Sequence, residues 1–378
     1  MNSHKRKIFV IFFLILIFIM FELTSAYFLF WYQRVFGASN LWAPGNYTYL
    51  TYSQSFSSTA SVALTLINKI TTRNEKNNNL LNNINTIANE ANVKVLVNRD
   101  DKIGWSALPG EYRIVFKTNS KRNPSWPINH DWTVTISKDG SRAASRYPVS
   151  SDRKIHIFGD SWIFGWALDD ELTMPWLLQA EYNNKFEVKN YSSAGWGHAH
   201  ALINYRNLKK SITKNDVLIF AYAQYLLPRN LPQPSVVASL AKGLDHYKDE
   251  VTNKPLGYPI ADISNNQIRI RIAPLDCDKL EGYCSKPDFT LEQLELFTIK
   301  LFDEIISDSP AKIIILHLDG PDDSVLKYLR ARGVKIVDGK QKTNFFSNDT
   351  MNPYDAHPGP ISNHHWFSQL RIAIDNIK

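Results

Sequence analysis

Ser161, Asp355 and His357 are the residues of this 378-residue chain whose types and placing could carry chemistry. A serine hydroxyl is a weak nucleophile. It needs a base to take its proton and a third group to orient that base. Ser161 closes the tripeptide Gly159-Asp160-Ser161. The short apolar run Lys154-Ile155-His156-Ile157-Phe158 precedes it and reads as a buried strand. Ser161 is thereby set where a strand ends and a loop begins. Near the other end of the chain, Asp355-Ala356-His357-Pro358 puts an acid and a base on one loop.

The elements that must position these residues alternate. Ile155–Phe158 reads as a first strand, Pro175 to Tyr182 as a helix with Thr173 as its cap, and Phe186–Asn190 as a second strand. His198–Ser211 reads as a helix and Asp216–Ala223 as a third strand. Thr290-Leu291-Glu292-Gln293 is a capping box that opens a helix to about Ser307. Lys312–Leu318 is a nearly continuous apolar strand, suited to a parallel sheet covered on both faces. A helix over Asp323–Arg332, a strand over Val334–Val337 and a last helix over His364–Ile377 complete the series. Alternating βα units predict an α/β fold with a doubly wound, parallel, five-stranded sheet flanked by helices. Such sheets bind ligands at the carboxyl ends of their strands, where Ser161, Gly195 and Gln224 fall.

The blocks Phe158-Gly159-Asp160-Ser161-Trp162-Ile163-Phe164-Gly165, Asn190-Tyr191-Ser192-Ser193-Ala194-Gly195-Trp196-Gly197 and Asp355-Ala356-His357-Pro358 stand in that order. Together they resemble the SGNH (GDSL-type) hydrolase superfamily, over residues 150 to 378 and in its membrane-anchored, extracytoplasmic form. The resemblance implies a flavodoxin-like fold with Ser161 as nucleophile, His357 as general base and Asp355 as its orienting partner. It implies an oxyanion hole from the backbone N–H groups of Ser161 and Gly195 and one side-chain amide. That amide is usually an Asn followed by Asp. The matching stretch here, Phe220-Ala221-Tyr222-Ala223-Gln224-Tyr225, has no such pair. Gln224 takes the position, with Asn230 as the fallback. One residue rather than two separates Asp355 from His357, a second departure from many relatives.

Around this region the chain divides into an anchor (1–33), a membrane-proximal stalk (34–95), a small β-rich lead-in (96–150) and the SGNH-like region (151–378), with an insertion at about 231–289. In the anchor, Ile8–Phe21 is continuously apolar and the run resumes past Glu22, long enough to span a bilayer as a helix. Lys5, Arg6 and Lys7 keep the N-terminus cytoplasmic and the rest outside the inner membrane. A cleaved signal peptide ending at Thr24-Ser25-Ala26 is the rival reading. The net charge is +7, and Lys5, Arg6, Lys7 and Arg34 less Glu22 account for +3 of it. The remainder is too mild to argue for nucleic acid. Cys277 and Cys284 allow a disulfide, two thiols or part of a metal site.

Asp355, His357, His364 and His365 fit no standard zinc spacing, and no metal or other cofactor is expected. His198 and His200 are expected at a solvent-facing helix start, and Asp160 in a structural hydrogen-bonding role. Trp162, Trp166 and Trp196 read either as sugar platforms or as core. The function expected is a serine esterase, or an O-acetyltransferase if a sugar hydroxyl replaces water. Its partners would be an O-acylated cell-envelope glycan and a membrane acyl-donor protein. The rival is a catalytically degenerate envelope protein of the same fold that binds glycan or scaffolds an assembly.

Overall fold

The computed structural model of the protein describes residues 97–117, 129–243, 255–264, 267–280, 282–340 and 357–377. The expected anchor and stalk, and Asp355, lie outside these residues. Among the described residues no helix is long and apolar enough to cross a membrane. In chain order the elements are β1 (Val97–Asp100), β2 (Gly104–Ala107), β3 (Gly110–Lys117), β4 (Asn129–Ile136), β5 (Lys154–Gly159), α1 (Ser161–Phe164) and α2 (Met174–Tyr182). There follow β6 (Glu187–Ser192), α3 (His198–Leu208), β7 (Val217–Ala223), α4 (Leu227–Asn230), α5 (Pro234–Gly243), β8 (Gly257–Ser264) and β9 (Gln267–Pro274). The last are α6 (Leu291–Asp308), β10 (Lys312–Asp319), α7 (Ser324–Ala331), β11 (Lys335–Asp338) and α8 (Pro360–Asp375).

The central sheet has five strands in the order β11-β10-β7-β5-β6. Every neighbouring pair in it is parallel, as the alternating elements require. The run Val217 to Ala223 shows how one strand serves two cores. Val217, Ile219, Ala221 and Ala223 face one side with Met174 and Leu178 of α2 and Trp366 and Leu370 of α8. Leu218, Phe220 and Tyr222 face the other with Leu202 of α3, Phe297 and Phe302 of α6 and Leu326 of α7. All seven residues are buried, so the strand shows no polar alternation. The capping box opens α6 as expected, with Thr290 and Gln293 each bonding the other's backbone N–H. The last helix starts at Pro360, four residues earlier than its apolar spacing suggested, because proline is preorganised for a first turn.

Outside the sheet, β1–β2, β3–β4 and β8–β9 are antiparallel hairpins. Residues 265 and 266, between β8 and β9, lie outside the described residues. Lead-in and insertion share one apolar cluster. Ile103 and Trp105 pack with Val237, Leu256, Tyr258 and Ala273. Strand β2, only four residues long, and the ten-residue helix α5 were not anticipated. Cys277 and Cys284 form a disulfide, with Cα atoms 5.7 Å apart. The free-thiol and metal alternatives for the pair therefore fall.

His156 sits in the middle of β5, 2% exposed and stacked on Tyr191. Burial pushes its imidazole down to about 4, against the opposing pull of Asp216 at 4.0 Å. At neutral pH the ring is uncharged in the folded protein. Below pH 6.5 the unfolded chain takes up a proton that the folded one refuses, so stability falls with pH from 6.5 to about 4. The full loss from this one residue is on the order of 3 kcal/mol. The expected outcome is a melting temperature that drops between pH 7 and pH 5 and drops less in His156→Phe. An equal drop in both proteins would assign the acid sensitivity elsewhere.

Candidate active site

The strand-to-helix turn after β5 sets Ser161. Asp160 is the N-cap of α1, its carboxylate accepting from Trp162 N–H at 3.0 Å. Ser161 is therefore the first helical residue, with its backbone N–H at a helix start. The turn is tight because Gly159 has no side chain: a Cβ there would lie 2.6 Å from Ile163 Cβ. Asp160 is 1% exposed and also accepts from Tyr225 O–H at 2.8 Å. Burial, and then the Asp160 charge, hold the Tyr225 phenol well above its ordinary value, so it stays protonated and donates. This is the structural role expected of Asp160. Tyr225 was not singled out in the sequence, where it looks like one more aromatic after an apolar strand.

His357 comes back to Ser161 from 196 residues away. Its Nε2 lies 2.8 Å from Ser161 Oγ. Pro358 and α8 follow it, and α8 docks through Trp366 and Leu370 against the face of the sheet that α2 covers. Asn363 Oδ1 ties the start of α8 to α2 by accepting from Met174 N–H at 2.9 Å. Trp166 stands beside the pair, its ring 6.2 Å from that of His357. Asp355 lies outside the described residues.

The loop after β6 carries Gly195, whose φ of +78° is a left-handed conformation suited to glycine. Its backbone is backed by Trp105 of β2 and by the buried Trp196. Trp196 stacks on His200 at 5.1 Å and 8°, and Tyr258 meets His200 edge-on at 5.2 Å. Trp196 is thus core rather than a platform for sugar. The expectation for His198 and His200 is also corrected. Both are buried, at 2% and 0% exposure, because α3 turns its first residues inward under this loop. Burial lowers both imidazoles. Trp162 is partly exposed, between Tyr225 and Trp366.

Gln224 stands where the third donor is expected, immediately after β7 in a short 3-10 turn over Gln224–Leu226. It is half-buried against Gly320, and its amide makes no hydrogen bond to a described residue. Asn230 is otherwise engaged. It is fully buried, donates to Thr298 Oγ1 at 3.1 Å, and accepts from His198 N–H at 2.7 Å. The Asn230 amide is thus engaged on both its oxygen and its nitrogen, whereas that of Gln224 is not.

Arg142 is the residue that sequence reasoning missed. It lies six residues past the end of β4 at Ile136. Its guanidinium is buried beneath α1, and all five N–H groups are used. Nε donates to Asp170 Oδ1 at 2.8 Å. Nη1 donates to the carbonyls of Phe164 and Gly165, both at 2.7 Å. Nη2 donates to those of Leu168 and Thr133 at 2.6 and 3.2 Å. Asp170 in turn accepts from Thr135 N–H, and Asp169 from Thr133 N–H. Asn190 adds a strut, its Nδ2 donating to Ile163 O at 3.1 Å and its carbonyl accepting from Arg142 N–H at 3.0 Å. The only sequence signal was a charged residue flanking the small pair Ala143-Ala144.

No family model matches the sequence, and no curated protein matches it. Solved structures similar to it include a lipolytic protein of the G-D-S-L family from Veillonella parvula, 11% identical, with a TM-score of 0.35. That similarity covers 60% of this chain and 100% of the other. A psychrotrophic esterase, EstA, from Pseudoalteromonas sp. is 12% identical with a TM-score of 0.35, covering 59% of this chain and 99% of its own. At these identities and scores the similarities establish neither family nor activity for this chain.

Removing Arg142 would strand Asp170 as a buried carboxylate with no cation beside it, and would take the guanidinium donor from four backbone carbonyls, of which Gly165 O keeps Leu168 N–H at 3.1 Å. Arg142→Met is expected to cost about 3–5 kcal/mol of unfolding free energy, measured by urea denaturation. Arg142→Met combined with Asp170→Leu should recover part of that loss, because the stranded charge goes too. A single variant as stable as wild type would show that the clamp is not needed.

Proposed function

We propose that this chain is a serine ester hydrolase in which Ser161 is the nucleophile, His357 the general base and Asp355 the group that orients His357. The observation that carries the reading is the 2.8 Å contact between His357 Nε2 and Ser161 Oγ, two residues with a sequence separation of 196. Distance alone would not suffice. The serine also sits at a helix start, beside a loop whose Gly195 backbone is turned into a left-handed conformation.

In the proposed reaction Ser161 Oγ attacks the carbonyl carbon of an ester while His357 Nε2 takes the hydroxyl proton. The ester oxygen becomes an oxyanion held by the N–H groups of Ser161 and Gly195 and the amide of Gln224. His357 then gives its proton to the departing alkoxide and the C–O bond breaks, leaving an acyl-serine. Water, activated by His357 in the same way, releases the acid and restores the serine. A sugar hydroxyl in place of water gives O-acyl transfer by the same steps. Asp355 would hold the tautomer that presents the Nε2 lone pair to Ser161. The proposed substrate is an O-acyl group on a cell-envelope glycan, reached by a domain outside the inner membrane and tethered by residues 1–33. The Cys277–Cys284 disulfide supports an oxidising compartment.

A fluorophosphonate probe labels only an activated serine. Wild-type protein should be labelled and should turn over short acyl esters. Ser161→Ala should lose both with its fold intact, and His357→Ala should fall nearly as far, since residues acting as a unit are not additive. Turnover persisting in Ser161→Ala would defeat the assignment and favour the non-catalytic alternative.

Gln224 is the second check. Gln224→Ala should lower kcat by about 10²–10³ with little change in KM, the cost of one oxyanion donor. Gln224→Asn should recover little, as its stem is one methylene shorter. A Gln224→Ala protein with wild-type kcat would remove the side chain from the oxyanion hole.

A further inference from the structure

Two arginines stand close behind the turn that carries Ser161, and they differ sharply. Arg142 spends all five of its N–H groups on protein acceptors. Arg229, on α4, makes no hydrogen bond to a described residue. Its nearest acid is Asp160, 3.6 Å from Nη1, beyond hydrogen-bond reach. Asp160 does not need it as a donor, because Trp162 N–H and Tyr225 O–H already serve that carboxylate at 3.0 and 2.8 Å. An arginine recruited only to neutralise an acid would close on it with its planar fork. Arg229 instead lies beside Asp160 by one edge, with its side chain 28% exposed.

The place is as telling as the open donors. Asp160 follows β5, and Tyr225, whose ring centroid is 5.9 Å from the Arg229 guanidinium carbon, follows β7. In the sheet β5 lies between β6 and β7, so the chain leaves it in opposite directions there. Ligands of such sheets bind in the crevice at that point, outside the carboxyl ends of the strands. Arg229 also backs the loop that carries Gly195: a Cβ on Gly197 would lie 2.7 Å from Arg229 Cβ. Its charge reaches His200 beneath that loop, adding to burial in holding the imidazole neutral. The guanidinium thus sits at the seam between the serine turn and the proposed oxyanion loop, with donors to spare.

We propose that Arg229 recognises an anionic oxygen group, a carboxylate or a phosphate, carried by the substrate whose ester Ser161 cleaves. This rests on the esterase reading of the site and names the substrate class for it. A neutral hydroxyl would take one donor and none of the charge. A planar or tetrahedral oxyanion takes two donors of the fork and the charge as well.

The test has one arm that needs no turnover. Full-length Ser161→Ala protein is titrated with glucuronate, inorganic phosphate and glucose, with binding followed by ligand-observed NMR. An anion should bind more tightly than glucose, and the tighter of the two anions identifies the group. In the Ser161→Ala background, Arg229→Gln should weaken anion binding by about 10- to 100-fold, and Arg229→Lys by less. Anions that bind no better than glucose, or equally well without Arg229, overturn the proposal. In the second arm, kcat/KM is compared for O-acetyl glucuronate and O-acetyl glucose. The ratio should fall at least about tenfold in Arg229→Gln, through KM. An unchanged ratio also overturns the proposal, since a merely structural Arg229 would affect both esters alike. Absence of fluorophosphonate labelling in wild type would sink the esterase reading instead, and the first arm would still decide Arg229.

Discussion

The buried guanidinium of Arg142 is the interaction on which the arrangement around Ser161 depends. The α1 helix is one turn long, too short to hold its own shape by helical hydrogen bonds. Its Ser161 and Trp162 carbonyls accept from the backbone N–H groups of Gly165 and Trp166, and the carbonyls farther along the turn and loop lie in a dry interior. Arg142 gathers three of them, from Phe164, Gly165 and Leu168, on a single planar group, with Asp170 balancing the charge. Burial opposes both charges, lowering the guanidinium and raising the carboxyl. The pair is therefore poor as a source of net stability and good as a locator. It also fastens β4 to the loop through Thr133 and Thr135. The lead-in is in this sense part of the site's foundation.

The same division of labour appears under the Gly195 loop. Trp105 comes from the lead-in, Tyr258 from the insertion, and His200 from α3 between them. Three segments distant in sequence close a dry aromatic cluster beneath the backbone that would meet a developing oxyanion. A neutral His200 suits this place, since its charged form would be desolvated there. Packed rings resist displacement, so the loop has little freedom to relax toward solvent.

Much of this was legible in the residues because it is local. Periodicity and turn chemistry located the five strands of the sheet and most of its helices within a few positions, and the Thr290–Gln293 capping box set the start of α6. Ser161 and His357 were identified from their own surroundings, and they meet. What was not legible is long-range. Arg142 looks like any charged residue after a turn, since nothing local says that four carbonyls and a carboxylate will converge on it. His198 and His200 follow a glycine at a helix start, which usually faces water. Long-range packing turns that end inward: Trp105 of the lead-in and Tyr258 of the insertion cover His200, and Asn230, Tyr222 and Phe302 enclose His198. Counting from the strand end located Gln224 immediately after β7, and the bonds of Asn230 to Thr298 and His198 are long-range and were not legible.

The position of His357 has a consequence for biogenesis. Ser161 and His357, the proposed nucleophile and base, stand 196 residues apart, and His357 is carried just ahead of the last helix. A chain emerging from N- to C-terminus can form β5, α1 and the Arg142 clamp long before His357 exists. During that interval Ser161 is an ordinary, unactivated hydroxyl. It gains a partner only when α8 seats against α2, through Asn363 and the apolar contacts of Trp366. On the proposed roles, competence is tied to completion: a truncated or half-assembled chain has the serine turn without the histidine that would activate it.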